Sequence, residues 1–107
     1  MSSHSHHPEK LNESILLLNK HFDLENDRAL PIQVDMGELR SRLSAIIGWY
    51  LDNDLEKLMH IMYRVDVEER VFSGILTSSP PGKIAAELAD VVLEREWQKA
   101  ETRLKYR

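Results

Sequence analysis

His60 and Glu56, four residues apart in "LEKLMHIMYR", are the two side chains in this sequence whose spacing best suits chemistry. Residues four apart share one face of a helix, so this imidazole and carboxylate can hold a metal ion or pass a proton between them. Either role needs a further ligand or acid nearby, but the neighbouring turns supply Lys57, Tyr63 and Arg64 instead. We therefore predict a partly exposed helix histidine rather than a catalytic or metal-binding one.

The remaining inventory for catalysis or metal binding is poor. His4, His6 and His7 lie in a polar N-terminal tail, and a flexible tail forms no metal site in advance. The chain has no cysteine, and therefore neither a thiolate nucleophile nor a disulfide. It also lacks a glycine-rich phosphate loop, an H-E-x-x-H motif and a G-x-S-x-G motif. We predict no catalytic residue, no metal ligand and no cofactor, and a protein that is not an enzyme.

The last predicted helix combines a basic stripe with two large aromatic side chains. The stripe consists of Arg95, Lys99, Arg103 and Arg107, and the aromatic residues are Trp97 and Tyr106. Residues 94–107 hold five basic and three acidic side chains, whereas the preceding 93 residues hold nine basic and fifteen acidic ones. Such a stripe can bind a phosphate backbone, an anionic lipid surface or an acidic protein. Basic residues also simply oppose the helix dipole near a C-terminus.

Protein interaction is the function that this helix favours. Large aromatic residues on a mostly polar helix are candidate interface anchors, so we expect a homo-oligomer or another protein as the partner. The alternative is a polyanion, such as nucleic acid, bound through the basic stripe. The net charge of −4 argues against general nucleic-acid binding, because phosphate repels an acidic surface. We therefore predict a protein-interaction or scaffolding module without catalytic activity.

The elements that must position these side chains are predicted to be helices. Glycine and proline are few, and apolar residues recur at spacings of three and four. One helix begins at Met36, where Asp35 is the expected N-cap and Glu38 completes a capping box. The next occupies residues 55–64 and begins after a cap at Asn53 or Asp54. Its predicted core face consists of Leu55, Leu58, Met59, Ile61 and Met62.

Two further helices follow. Asp66 and Glu69 repeat the capping-box spacing, so a helix is predicted to begin there and to turn sharply from its predecessor. After "TSSPPG" the last helix begins near Pro81. Its end is polar nearly all round, and we expect it either to fray or to lie against something outside this chain.

The N-terminal third of the sequence is less regular. Residues 1–8 are predicted to be a disordered His/Ser-rich tail. Residues 9–22 show helical spacing, although the apolar run at 15–18 also suits a buried strand. Residues 23–36 are predicted to be a connecting segment, because Pro31 lacks an amide hydrogen and disfavours helix before it.

Residues 9–107 are therefore predicted to form one all-α domain. We expect a small bundle of four to five short helices with a sharp helix–helix junction near residues 64–67. No apolar run approaches the roughly 18 residues that suggest a membrane span, and the N-terminus lacks an apolar signal segment. We expect a cytoplasmic protein.

Two stretches of the chain, at 51–70 and 84–107, resemble a group of small, uncharacterised bacterial all-helical proteins. Their recurrent patterns read roughly D-F-x-x-L-x-x-L-Y-R-I-D-V-x-E and, later, I-A-x-L-I-I-E-R-x-x-Q-K. The positions that match are Leu58, Tyr63, Arg64, Asp66, Val67, Glu69, Ile84, Ala85, Leu88, Glu94, Arg95, Gln98 and Lys99. Val65 replaces the usual isoleucine and Leu55 the usual phenylalanine, and the N-terminal 35 residues lie outside the resemblance.

This resemblance supplies no activity, but it implies that the segment around Arg64 and Asp66 and the segment around Glu94 and Arg95 act together. Arg64 stands at a predicted helix end, where it could pair with Asp66, Glu69 or Glu94. Such a pair would lock the junction against the last helix and stiffen the fold.

Overall fold

A computed structural model of the protein describes residues 7–25, 29–32 and 34–106, and within these ranges the chain forms helices and no strand. The helices are α1 (His7–His21), α2 (Met36–Asn53), α3 (Leu55–Val65), α4 (Glu69–Ser78) and α5 (Ile84–Lys105), with a short 3-10 turn at Pro81–Lys83. The predicted all-α bundle of four to five helices is confirmed. No helix in the described ranges is both long enough and apolar enough to cross a membrane.

In the N-terminal third of the chain, the apolar run at residues 15–18 belongs to a helix and not to the strand that it also suits. α1 begins at His7, while most of the predicted tail, residues 1–6, lies outside the described residues. Leu30 of the connecting segment is buried in the core. Its backbone is held by the Asn19 side chain, which accepts from the Leu30 amide at 2.7 Å and donates to the Leu30 carbonyl at 3.1 Å.

Local caps set the starts of α2 and α3. The Asp35 carboxylate accepts a hydrogen bond from the Glu38 amide at 2.7 Å, which is one half of the predicted capping box. The Glu38 carboxylate accepts from Arg42 at 2.7 and 2.9 Å instead of reaching back to the cap. The Asp54 carboxylate accepts from the Lys57 amide at 3.1 Å and begins α3 only one residue after α2 ends. Each cap joins atoms three residues apart, so each depends on local sequence alone.

The junction between α3 and α4 forms differently from its prediction. Asp66 does not cap α4; it ends α3 in the left-handed conformation, with φ 70° and ψ 38°. Its amide donates to the carbonyls of Met62 and Tyr63 in the last turn of α3. α4 begins at Glu69, and the residue before it, Glu68, makes no side-chain cap. The capping-box interpretation of Asp66 is therefore wrong, because an N-cap needs extended backbone and aspartate is one of the few residues that tolerate the left-handed region.

α5 is the central helix of the bundle and packs against all four others. Its first half buries Leu88, Ala89 and Val92 against the fully buried Leu43 and Ile47 of α2 and the rest of one core. Its polar end does not fray but lies along α1.

Two ion pairs hold that end of α5 in place: Lys10 Nζ lies 2.8 Å from Glu101, and Arg103 Nε lies 2.7 Å from Glu13. The surface against which the polar end packs is therefore within the chain, at α1.

Candidate interaction site

The His60–Glu56 pair occupies the exposed side of α3. Among the described residues, no group of three or more histidine, cysteine, aspartate or glutamate side chains is arranged to hold a metal ion. The two side chains are one turn apart on the helix surface, and neither has a hydrogen bond to a described residue. His60 instead borders an apolar groove, described below.

Much of the basic stripe on α5 contacts carboxylates of the same chain. Arg103 pairs with Glu13 at 2.7 Å, and Lys99 lies 3.4 Å from Asp66. Arg95 is 3.9 Å from the same Asp66 carboxylate. Arg107 lies outside the described residues. The stripe therefore serves in part to fasten α5 to α1 and to the α3–α4 junction, which leaves less of its charge for an external anion.

The two aromatic residues of the last helix have different surroundings. Trp97 is partly buried, with the Lys10 ammonium 5.9 Å from its ring centroid. Tyr106 is 76% exposed and follows the end of α5, with the Lys105 ammonium 5.6 Å from its ring centroid. Of the two predicted interface anchors, Tyr106 presents the larger free surface.

Among the described residues, the four predicted ion-pairing residues, Arg64, Asp66, Glu69 and Glu94, form no ion pair with one another, and Arg64 has a partner that the sequence did not indicate. Its guanidinium lies 2.7 Å from Asp23 and donates to the His21 carbonyl at 3.2 Å. Lys57 lies 3.1 Å from the same Asp23 carboxylate. The hydrogen bond from Arg64, and then that from Lys57, lowers the pKa of Asp23. Arg64 therefore ties the end of α3 to the end of α1.

Asp66, Glu94 and Glu69 complete this set. Asp66 at the junction and Glu94 and Arg95 on α5 line a cavity of about 330 Å³ between these two parts of the chain. Lys99 also donates to the Arg64 carbonyl at 3.2 Å, so α5 contacts the last turn of α3 directly. Glu69 borders the groove between α3 and α4 instead.

Replacing Arg64 with methionine is expected to cost only up to about 1 kcal/mol of stability, because the Arg64–Asp23 pair is half exposed and screened by water. Thermal unfolding followed by circular dichroism measures this loss. The matched control is Arg70→Met, since Arg70 is almost fully exposed and lies 3.5 Å from Glu68 within one turn. Equal melting temperatures for the two variants would contradict the role of Arg64 as a tie between helices.

A buried pair that the sequence did not indicate joins α1 to α5. Glu96 is 0% exposed, and its Oε2 lies 2.6 Å from Nδ1 of His21, within hydrogen-bond distance. The other carboxylate oxygen, Oε1, is buried without a hydrogen-bond partner in the described structure. Burial raises the pKa of Glu96, and the contact with His21 opposes that shift.

The helical register of α5 held a signal for this pair. Glu96 follows Val92 by four residues and precedes Ala100 by four, and both of these are fully buried. A carboxylate on that face must enter the core. From the sequence, Glu96 counted only as one of the three acidic side chains of residues 94–107.

A groove between α3 and α4 exposes the largest apolar side chains of this region. Its floor is Met62, Val67 and Phe72, and one wall is formed by Met59 and Tyr63; the volume is about 260 Å³. Met59 is 47% exposed and Tyr63 83%. The prediction that Met59 and Leu55 belong to the core face of α3 is wrong, because the buried face is centred on Leu58, Ile61, Met62 and Val65.

One of the residues that border this groove is a carboxylate, Glu69 of α4. It is exposed and forms no ion pair with a described residue. Glu56 is also exposed and stands one turn before His60 on α3, but it does not line the groove. The groove therefore combines an apolar floor with one negative charge at its border, a combination that suits a ligand with an apolar group beside a positive charge.

A comparison of the chain with protein-family models, with characterised proteins and with solved structures finds no match. The resemblance to small bacterial helical proteins therefore stays a prediction.

Proposed function

We propose that the protein is a protein-interaction module that binds a partner polypeptide in the groove between α3 and α4. The supporting observation is the exposure of Tyr63 and Met59 directly above the buried Met62 and Phe72. Aromatic residues and methionine are enriched at protein interfaces, and anchors of this kind contribute most of the binding energy.

The chemistry of the groove limits the partner segment. Methionine is flexible and polarizable, so Met59 and Met62 can adapt to an aliphatic or aromatic side chain. The Glu69 carboxylate at the border of the groove favours a positive charge next to that side chain. The partner is therefore a segment that presents one large apolar residue beside a lysine or arginine. This role requires no catalytic group, and the lack of cysteine suits a reducing, cytoplasmic location.

A second apolar cavity, about 350 Å³, is lined by Leu24, Ile46, Trp49 and Tyr50. None of these four side chains carries a charge, whereas the α3–α4 groove has the Glu69 carboxylate at its border beside its apolar floor. We assign the function to the α3–α4 groove because an apolar floor with an adjacent charge can select its partner as well as bind it. The polyanion alternative has less support, because Arg95, Lys99 and Arg103 already face carboxylates.

The proposal is tested with a fluorescently labelled amphipathic helical peptide that carries leucines on one face and lysines on the other. Replacing Tyr63 with serine or Met59 with aspartate is expected to weaken its binding about tenfold, the effect of losing one anchor. Fluorescence anisotropy measures the dissociation constants.

The control is Leu16→Ser, which removes an apolar side chain that is 52% exposed on α1. A peptide with the same composition but no apolar face controls for attraction by charge alone. If all variants bind the two peptides equally, the groove is not the interaction site.

A further inference from the structure

We infer that the α3–α4 groove receives the C-terminal end of α5 from a second copy of this chain, with Tyr106 as the anchor. The inference rests on the proposed function of the groove and names its partner. Two features of the chain support it: the surface around Tyr106 has the chemistry that the groove requires, and α5 carries that surface beyond the junction where the groove of its own copy lies.

The end of α5 presents an aromatic ring beside an unpaired cation. Tyr106 is 76% exposed, and the Lys105 ammonium lies 5.6 Å from its ring centroid. Lys105 forms no ion pair with any described residue, in contrast to Arg103, which pairs with Glu13. Lys105 lines a cavity together with Glu9 and Glu101 but forms an ion pair with neither. This end of the molecule therefore offers one large apolar group and one positive charge that is not in an ion pair.

The groove offers the complementary groups. Its volume of about 260 Å³ suits a single side chain, and Met59 and Met62 supply the sulfur atoms that pack well at the edge of an aromatic ring. Glu69 at its border, which forms no ion pair with a described residue, is available for Lys105. The charge distribution along the sequence also favours this contact, because the last fourteen residues carry a net charge of +2 and the preceding 93 carry −6.

Geometry makes this contact intermolecular. Val67 lines both the groove and the cavity on the other side of the junction, and Gln98 is the most C-terminal α5 residue beside that cavity. Tyr106 follows Gln98 by eight residues, which places it about 12 Å farther along the helix axis. The end of α5 is also tied to α1 through Arg103 and Glu13. A contact between Tyr106 and the groove therefore joins two copies.

The two surfaces are different, so each copy contributes one groove and one C-terminal end of α5. If both contacts form within one pair, the result is a closed dimer; if they do not, copies join head to tail. A single side-chain anchor gives a weak association, and the masses are therefore measured over a wide range of protein concentration.

Light scattering of the full chain and of two single variants tests the inference. Tyr63→Ser removes the groove wall, and Tyr106→Ser removes the anchor. Both side chains are largely exposed, so the variants are expected to fold, which circular dichroism checks. The unmodified chain should exceed the monomer mass, and each variant should need about tenfold more protein to do so.

Mixing the two variants gives the sharper result. The Tyr63→Ser variant keeps an intact end of α5, and the Tyr106→Ser variant keeps an intact groove. The two variants can form one unmodified contact with each other, so the mixture should form one-to-one dimers and nothing larger. Replacing Lys105 with glutamate should weaken association, and the double variant Glu69→Lys/Lys105→Glu should restore it. Leu16→Ser should leave the mass unchanged.

A monomeric chain at all concentrations, or a Tyr106→Ser variant that associates like the unmodified chain, would overturn the inference. If the chain does not self-associate but still binds the amphipathic peptide, and Tyr63→Ser abolishes that binding, the proposed function stands and the partner is another protein. If the peptide binding is also insensitive to the groove variants, both are rejected.

Discussion

Replacing His21 with alanine is expected to lower the free energy of unfolding by up to about 3 kcal/mol at pH 7, but by less than about 1 kcal/mol at pH 5. The variant leaves Glu96 buried without a hydrogen-bond partner, so the carboxyl must take up a proton when the chain folds. That uptake costs about 1.4 kcal/mol for each pH unit above 4.5, the ordinary pKa of the carboxyl. Urea unfolding followed by circular dichroism at the two pH values measures the difference.

The unmodified protein should show a related but smaller pH dependence. Burial raises the pKa of Glu96, so the folded state binds this proton more tightly than the unfolded state does. The contribution of Glu96 to stability is therefore largest below pH 4.5 and declines as pH rises through the folded-state pKa. Asp23 and Asp90 act in the opposite sense: hydrogen bonds from Arg64 and Arg40 lower the pKa of each, so their contributions are lost as pH falls below about 3.8.

The control for the His21 variant is Glu96→Met, which keeps the volume and removes the charge. It should cost less than His21→Ala at pH 7, because it removes the buried carboxyl that needs a proton, and His21, whose side chain is 15% exposed, can exchange its lost partner for water. It should also abolish the decline in stability above pH 4.5. If His21→Ala costs the same at pH 5 and pH 7, or if Glu96→Met costs more than His21→Ala, the buried pair does not act as described.

Replacing Leu43 with alanine is expected to destabilise the protein by about 2–5 kcal/mol. Leu43 is fully buried on α2 within the core that α2 shares with α5, so the change removes apolar contacts and leaves a cavity. Domains of this kind have total stabilities of about 5–15 kcal/mol, so the loss is a large fraction of the whole. Denaturant titration gives the value.

Leu16→Ala is the matched control for the core variant, because it makes the same chemical change at a position that is half exposed on α1. Its cost should stay within about 0.5 kcal/mol, as for most surface substitutions. A Leu43→Ala variant no less stable than Leu16→Ala would mean that α2 does not pack on the bundle through this face.

Most of the secondary structure could be predicted from the sequence, because its determinants are local. The start of α2 depends on Asp35 and an amide three residues away, and the start of α3 depends on Asp54 in the same way. The sequence predicts the position of the α3–α4 junction, near residues 64–67, but not the role of Asp66, which ends α3 instead of capping α4. Aspartate is compatible with both an N-cap and a left-handed helix end, and the spacing of Asp66 and Glu69 alone does not distinguish the two.

The candidate site was much less predictable than the elements that form it. Apolar residues cover so wide an arc of α3 that periodicity cannot separate its buried face from its exposed edge. Packing against α4 and α5 makes that choice: it buries Leu58 and Met62 and leaves Met59 and Tyr63 as a wall of the groove. Similarly, the partner of Arg64 is Asp23, 41 residues away. The partners predicted from the sequence lay near the junction or on the last helix, at Asp66, Glu69 and Glu94.

By itself the sequence determined an all-α chain, the limits of most of its helices and the charge asymmetry of its last one, because caps, spacing and composition act over a few residues. Only the tertiary structure decided that the basic stripe faces carboxylates of its own chain, that Glu96 is buried against His21 across 75 residues, and that an apolar groove stays open between α3 and α4. The physical reason is that burial and ion pairing depend on which helix faces meet, and side chains distant in sequence settle that together.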